Sequence, residues 1–121
     1  ASISAYCSSI DVSFSMLIAP TTPKKRTETL ASLSSGFLYV LARTGLTGEQ
    51  SELPTLAPRV SEIRSVTPLP LAIGFGISDA SQVASVQEVA DAAIVGSALV
   101  RRMEESDDAE LAAKQFVLEI S

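Results

Sequence analysis

The chain has no histidine, no tryptophan and a single cysteine, Cys7, among its 121 residues. Without histidine there can be no catalytic triad with an imidazole base, no histidine general acid–base catalysis and no zinc site that needs an imidazole ligand. One cysteine cannot form an internal disulfide or a thiolate cluster, which fits a reducing compartment. We therefore predict neither a metal site nor histidine or cysteine chemistry.

Positive charge and long hydrophobic runs are also scarce. Nine basic residues stand against fourteen acidic ones, for a formal net charge of −5. Such a chain lacks the basic patch that nucleic-acid binding requires, although backbone amides at a helix end can still hold one phosphate group. No apolar run is long enough to span a membrane. The hydrophobic fraction of 46% is typical of a globular domain, and we treat residues 1–121 as a single segment.

Strand-like and helix-like segments alternate four times along the chain. We predict strands at residues 10–19, 37–42, 69–76 and 92–95, and helices at 24–34, about 56–65, 78 to about 89, 98 to about 104 and 108–120. Units of this size form right-handed crossovers between parallel strands. A full (β/α)₈ barrel needs about 250 residues, so the sequence predicts either a small open α/β domain or half of a barrel.

Capping residues and apolar spacing predict how the helices begin and pack. We expect Thr22 to cap the first predicted helix with Pro23 following it, and Gly36 to end that helix. Pro58 is tolerable only in the first turn of the next helix, and Ser78 is expected to cap the third. The residues predicted to face the core are Leu30, Leu33, Leu56, Val60, Ile63, Val83, Val86, Leu111, Phe116 and Leu118.

Glycines follow three successive predicted strands. They are Gly45 and Gly48, then Gly74 and Gly76, then Gly96, which precedes Ser97 at the start of a short helix. The carboxyl ends of parallel strands share one edge of the sheet, where ligands bind in α/β folds. Each glycine alone is more simply explained as the end of a strand or helix. Together with the short helix, they predict a phosphate site.

Five motifs in this order resemble the tryptophan synthase alpha chain family. They are Leu17-Ile-Ala-Pro-Thr-Thr-Pro23, Gly36-Phe-Leu-Tyr39, Arg43-Thr-Gly-Leu-Thr-Gly48, Gly74-Phe-Gly-Ile-Ser78 and Ile94-Val-Gly-Ser-Ala-Leu-Val100. The third and fourth are the most specific. The resemblance covers residues from about 15 to the C-terminus and implies the last four βα units of a (β/α)₈ TIM barrel, its C-terminal half. Residues 1–12 are serine-rich and atypical of the family.

The resemblance implies a lyase of tryptophan biosynthesis that splits indole-3-glycerol phosphate into indole and glyceraldehyde 3-phosphate. It implies a substrate phosphate site made of Gly48, Gly76, Gly96 and Ser97. It also implies an indole and propanol pocket with Tyr39, Phe75 and Thr47, and a mobile loop from Arg43 to Glu52 that includes Gly48. Without the resemblance, Tyr39 and Phe75 are ordinary packing residues and Arg43 is a solvated loop charge.

The resemblance places no catalytic residue in this segment, because the family's glutamate and aspartate are on early strands and loops. Asp11 and Asp91 lie at the N-terminal ends of predicted strands, Asp79 opens a helix, and Glu49 and Glu52 lie on a polar loop, so none is a convincing replacement. We therefore expect the segment alone to be inactive. Half a barrel would also leave inward-facing side chains uncovered, which favours self-association or partial disorder.

The family implies a tryptophan synthase beta subunit as partner in a heterotetramer, with pyridoxal phosphate bound there and no cofactor in this chain. The expected compartment is the cytoplasm, or a plastid in a plant or alga. Two alternatives stay open. The chain could be an inactive remnant that binds phosphate or a partner, or part of another phosphate-binding barrel, such as a phosphoribosyl isomerase or a thiamine phosphate synthase relative.

Overall fold

A computed structural model describes residues 2–42, 53–74 and 76–121. In chain order the elements are α1 (Ile3–Ser9), β1 (Leu17–Ile18), α2 (Lys24–Leu33), β2 (Leu38–Leu41), α3 (Leu53–Arg64), β3 (Leu71–Gly74), α4 (Ala80–Gln87), β4 (Ala92–Ile94), α5 (Ser97–Glu104) and α6 (Ala109–Ile120). Over these ranges every helix is too short or too polar to cross a bilayer.

The strands form one parallel sheet in the order β1-β2-β3-β4. Ile18 is in register with Val40, and Val40 with Ile73. A doubly wound sheet reverses its strand order at a switch point, whereas a barrel segment keeps the chain order, as here. The four predicted βα units are thus confirmed, and the order is that of a partial barrel.

The two faces of the sheet differ in burial. On one face Ile18, Leu38, Val40, Leu71 and Ile73 are at most 2% exposed, and they form one core with apolar residues of α2, α3 and α4. On the other face, by strand alternation, Leu17 is 50% and Leu41 36% exposed. The described residues thus cover one face and leave the other open at β1 and β2, although Ala72 of β3 is buried there, a pattern that fits half a barrel.

The predicted strand over residues 10–19 is wrong except at its end. The helix α1 ends at Ser9, Asp11 has a φ of 57°, and pairing within the sheet begins at Leu17. The Phe14 amide donates to Ser35 Oγ at 3.0 Å, and the Met16 amide to Ser34 Oγ at 3.1 Å. These serine side chains accept the hydrogen bonds that the two backbone amides would have donated to a neighbouring strand.

The boundaries of α2 also differ from the prediction. Thr22 does not cap the helix, because its Oγ1 accepts a hydrogen bond from the Ala19 amide at 3.0 Å, and Pro23 takes the N-cap position instead. The helix ends at Leu33, before Gly36, which has a φ of +92°. Leu33 itself is 39% exposed rather than buried, because it lies in the last turn.

The helix α3 begins a turn earlier than predicted, so that Pro58 lies inside it. A proline there removes one intrahelical hydrogen bond. Leu56, Val60 and Ile63 are all buried, as predicted, and this packing offsets the lost bond.

Two further predictions about helices need correction. The N-cap of α4 is Asp79 and not Ser78, since Asp79 Oδ1 accepts the Gln82 amide at 2.9 Å. A carboxylate accepts this bond more strongly than a hydroxyl. In α6, Phe116 is buried, whereas Leu111 and Leu118 are 51% and 77% exposed.

Asp91 links the sheet to α3 at the edge opposite the strand carboxyl ends. Its carboxylate accepts the Leu71 amide at 2.9 Å and lies 3.0 Å from the Arg64 guanidinium. The hydrogen bond from the Leu71 amide is the main cause that lowers the pKa of Asp91, and the nearby Arg64 guanidinium lowers this pKa further. A carboxyl group with a lowered folded-state pKa stabilises the fold above its unfolded pKa of about 3.9. That contribution is lost as the pH falls through the folded-state value.

We expect Asp91→Ala to lower the free energy of unfolding by about 1 kcal/mol at pH 7, because it removes a charge-assisted hydrogen bond from a half-exposed site. The difference from the wild type should shrink towards pH 2, where the carboxyl group is protonated. Urea unfolding at both pH values measures it, with the exposed Asp107→Ala as control. Equal losses at pH 7 and pH 2 would contradict this account.

Candidate functional site

A cavity of about 370 Å³ opens at the carboxyl ends of β2, β3 and β4, a size that suits a small-molecule ligand. Its lining comes from strand ends, the following turns and the start of α5, and consists of Tyr39, Leu41, Gly74, Gly76, Ile77, Ser78, Ile94, Gly96, Ser97, Ala98 and Arg101. The parallel sheet brings these distant segments together because all its strands end at the same edge.

Tyr39 and Gly74 define the floor of the cavity. The Tyr39 ring lies over the Gly74 backbone so closely that a Cβ on Gly74 would stand 2.0 Å from the tyrosine hydroxyl oxygen and 2.6 Å from Cζ. Tyr39 is only partly buried, so one side of the ring remains available to the cavity. Only glycine at position 74 permits this position of the ring.

Gly76 and Gly96 differ from Gly74 because no neighbouring atom excludes a side chain at either position. Gly76 has a φ of +33°, where side chains are strained, although a Cβ would meet nothing within 4 Å. At Gly96 a Cβ would also meet nothing, and its φ of −127° is outside the left-handed region. Neither packing nor a positive φ therefore requires glycine at position 96.

The first turn of α5 is open to the cavity. Its N-cap is Gly96, which has no side chain to accept the first amides, and the turn contains no acidic residue. By contrast, Asp79 and Asp108 accept backbone amides at the starts of α4 and α6. The positive end of α5 is thus directed, with Ser97 and Ala98, at a cavity where an anion could replace the missing carboxylate.

The structure brings four of the predicted site residues together, since Tyr39, Gly76, Gly96 and Ser97 all line the cavity. Arg43, Thr47, Gly48 and Phe75 lie outside the described residues, as do Gly45, Glu49 and Glu52. The cavity therefore joins three of the four predicted phosphate ligands with one predicted pocket residue.

Sequence reasoning missed Leu41 and Arg101 as lining residues. Strand alternation could have found Leu41, which stands two residues after Tyr39 on the same face. Helical spacing could have found Arg101, which is four residues after Ser97.

Arg59 holds the turn after β1 against α3. Its Nη2 donates to the Thr22 carbonyl at 2.7 Å and lies 3.3 Å from Thr27 Oγ1, and its Nη1 pairs with Glu62. The Arg59 side chain is only 17% exposed. This arginine thus positions a turn at the same edge of the sheet as the cavity.

None of the described lining residues carries a carboxylate. Asp79, just beyond the lining, accepts bonds from Ser81 Oγ and the Gln82 amide, and these bonds lower its pKa, the Ser81 bond most. An ionised, capped carboxylate cannot donate a proton as a general acid. Asp91 lies at the opposite end of β3, beside Leu71. Neither Asp79 nor Asp91 therefore brings a carboxylate into the described lining of the cavity.

A family model described as "Tryptophan synthase alpha chain" matches residues 1–120. The tryptophan synthase alpha chain of Chloroflexus aggregans is 50% identical over 90 residues, which cover 74% of this chain and 34% of the relative. That of Solibacter usitatus is 45% identical over 104 residues, covering 85% of this chain and 38% of the relative. The chain spans between a third and two fifths of these relatives.

Solved structures are similar over nearly the whole chain. Tryptophan synthase subunit alpha from Campylobacter jejuni superimposes with a TM-score of 0.81 and 35% identity, covering 93% of this chain and 45% of that one. A chain from the tryptophan synthase a2b2 complex of Pyrococcus furiosus gives a TM-score of 0.84 and 29% identity, covering 97% and 48%. The sheet and its helices therefore match about half of each of these chains.

Proposed function

The chain belongs to the tryptophan synthase alpha chain family, and from this premise we propose that it supplies the phosphate site of a lyase. The reaction is the cleavage of indole-3-glycerol phosphate to indole and glyceraldehyde 3-phosphate. The observation that carries the proposal is that Gly76, Gly96, Ser97 and Tyr39 line the same cavity.

The chemistry of the lining suits this substrate. The first amides of α5 and the Ser97 hydroxyl offer hydrogen bonds to a phosphate, and the helix dipole favours its charge. A ligand that approaches the backbone closely is a physical reason for glycine at position 96, where neither packing nor a positive φ accounts for it. Tyr39, Leu41 and Ile94 offer apolar surface for an indole ring.

The segment's part in the reaction is binding and orientation. Cleavage needs an acid to protonate C3 of the indole and an acceptor for the positive charge that develops at the ring nitrogen. No described lining residue has a carboxylate for either role. The acid and the acceptor come from the part of the barrel that precedes these four βα units in the relatives.

Binding of indole-3-propanol phosphate, which lacks the cleavable glycerol, tests the proposal. We expect the chain to bind it at least tenfold more tightly than indole-3-propanol, because the phosphate adds charge-assisted hydrogen bonds. Ser97→Ala should reduce this preference several-fold, and Ser61→Ala, an exposed serine of α3, should leave it unchanged. Calorimetric titration measures both. Equal affinity for the two ligands would contradict the phosphate site.

We propose a tryptophan synthase beta subunit as the partner, supported by the likeness to a chain from an a2b2 complex. Pyridoxal phosphate would belong to that subunit. The lack of a carboxylate in the described lining favours one second candidate, a segment that binds phosphate and partner without chemistry. The family match decides against a phosphoribosyl isomerase or a thiamine phosphate synthase relative.

A further inference from the structure

Arg101 is the one charged residue among the described residues that line the cavity. It lies on α5 one turn after Ser97, and residues four apart share a helix face. Arg101 therefore lines the cavity on the same helix as Ser97 and Ala98, the residues that begin α5.

The neighbouring arginine is used differently. Arg102 pairs with Glu119 of α6 at 2.5 Å, and its guanidinium carbon lies 5.7 Å from the centre of the Phe116 ring. Within the described ranges the Arg101 side chain makes neither an ion pair nor a hydrogen bond. Arg102 therefore joins two helices, and the charge of Arg101 remains available to the cavity.

The ends of α5 carry no negative charge on the side of the cavity. Arg101 lies in the last turn of this eight-residue helix, where the macrodipole favours a cation, and the first turn contains no acidic residue. An anion in the cavity would be near both the first amides of α5 and Arg101, and it needs such local positive charge to approach a chain whose net charge is −5.

We propose that Arg101 binds the substrate's phosphate group and makes the site selective for its dianion. This inference rests on the proposed function. In addition to the first amides of α5, the phosphate would then contact a side chain with a full positive charge. A guanidinium group donates two parallel hydrogen bonds to two phosphate oxygens and carries a full positive charge. Neutral backbone amides and a hydroxyl group can donate hydrogen bonds but do not supply this charge.

Titration of the full chain with indole-3-propanol phosphate, inorganic phosphate and indole-3-propanol tests the proposal. Arg101→Gln should weaken both phosphate ligands about tenfold and leave indole-3-propanol unchanged, and Arg101→Lys should recover part of the loss. The matched control is Arg102→Gln, which should lower the midpoint of thermal unfolding and leave phosphate binding unchanged. Arg101→Gln should leave that midpoint unchanged, because its side chain is exposed.

The pH dependence of phosphate-ligand affinity shows whether Arg101 recognises the charge of the phosphate or only packs against the ligand. A phosphate monoester has its second pKa at about 6, so the tenfold difference between the wild type and Arg101→Gln should shrink below that pH. Phosphate binding that is equal in both proteins at pH 8 would overturn the inference and leave the phosphate site in place. A wild type that does not prefer the phosphorylated ligand would refute the proposed function and the inference together.

Discussion

Replacing Gly74 by alanine is expected to move the Tyr39 ring away from the cavity floor and to weaken binding of indole-3-propanol phosphate at least tenfold. A Cβ on residue 74 would stand 2.0 Å from the tyrosine oxygen, 2.6 Å from Cζ and 2.9 Å from Cε1, and these separations are impossible without a shift. Overpacking of this kind costs about 1–3 kcal/mol, so the free energy of unfolding should fall as well.

Second substitutions at Tyr39 identify the clash as the cause. Tyr39→Phe removes only the hydroxyl, and because Cζ and Cε1 remain too close, it should not restore stability to the alanine variant. Tyr39→Leu removes all three atoms, so Gly74→Ala should cost little in that background. A double-mutant cycle from urea unfolding measures this coupling. Additive effects of Gly74→Ala and Tyr39→Leu would show that the ring does not lie where the structure places it.

The parts of the fold that could be predicted are those in which buried positions carry apolar residues at regular helical or strand spacing. Leu56, Val60 and Ile63 recur at helical spacing and are buried, and apolar runs mark β2 and β3. The last helix shows where this signal fails. Leu111 and Leu118 form one apolar stripe, and Ala112 and Phe116 form another that is buried instead. Spacing identifies both stripes, but only the packing partner decides which one is covered.

Local hydrogen bonds explain the other errors. The alternation over residues 10–16 predicts a strand, but Ser34 and Ser35, distant in sequence, take its amides. Adjacent capping residues compete in the same way at Ser78 and Asp79, and the carboxylate prevails. Side chains of serine, threonine and aspartate can each satisfy a backbone group, so a pattern alone does not determine which one does.

The site was more predictable than these details. The carboxyl ends of parallel strands must share an edge, and this alone places Tyr39, Gly76 and Gly96 near each other. The sequence does not show that the three glycines differ in role: Gly74 makes room for a ring, Gly76 adopts a positive φ and Gly96 does neither. The motifs do not indicate a charged group at the site, because Arg101 lies on α5 just beyond the motif that contains Ser97.

Indole release from indole-3-glycerol phosphate by this chain alone is expected to be 10²- to 10⁴-fold slower than by the chain combined with the first half of a related alpha chain, such as that of Chloroflexus aggregans. A positioned general acid contributes about this factor, and the described cavity lining has no carboxylate to serve as one. The open face of the sheet, which exposes Leu17 and Leu41, provides the apolar surface on which the added half would close the barrel.

The matched control is the same first half with the family's catalytic glutamate replaced by glutamine. It should restore barrel closure and the binding of indole-3-propanol phosphate but not indole release, because an amide cannot donate the proton. This result would separate the binding contributed by residues 1–121 from the chemistry contributed by the added half. If the chain alone released indole as fast as the reconstituted barrel, a proton donor would have to exist within residues 1–121. The assignment of this segment to substrate binding would then be wrong, because a half barrel that performs the proton transfer itself needs no second half for catalysis.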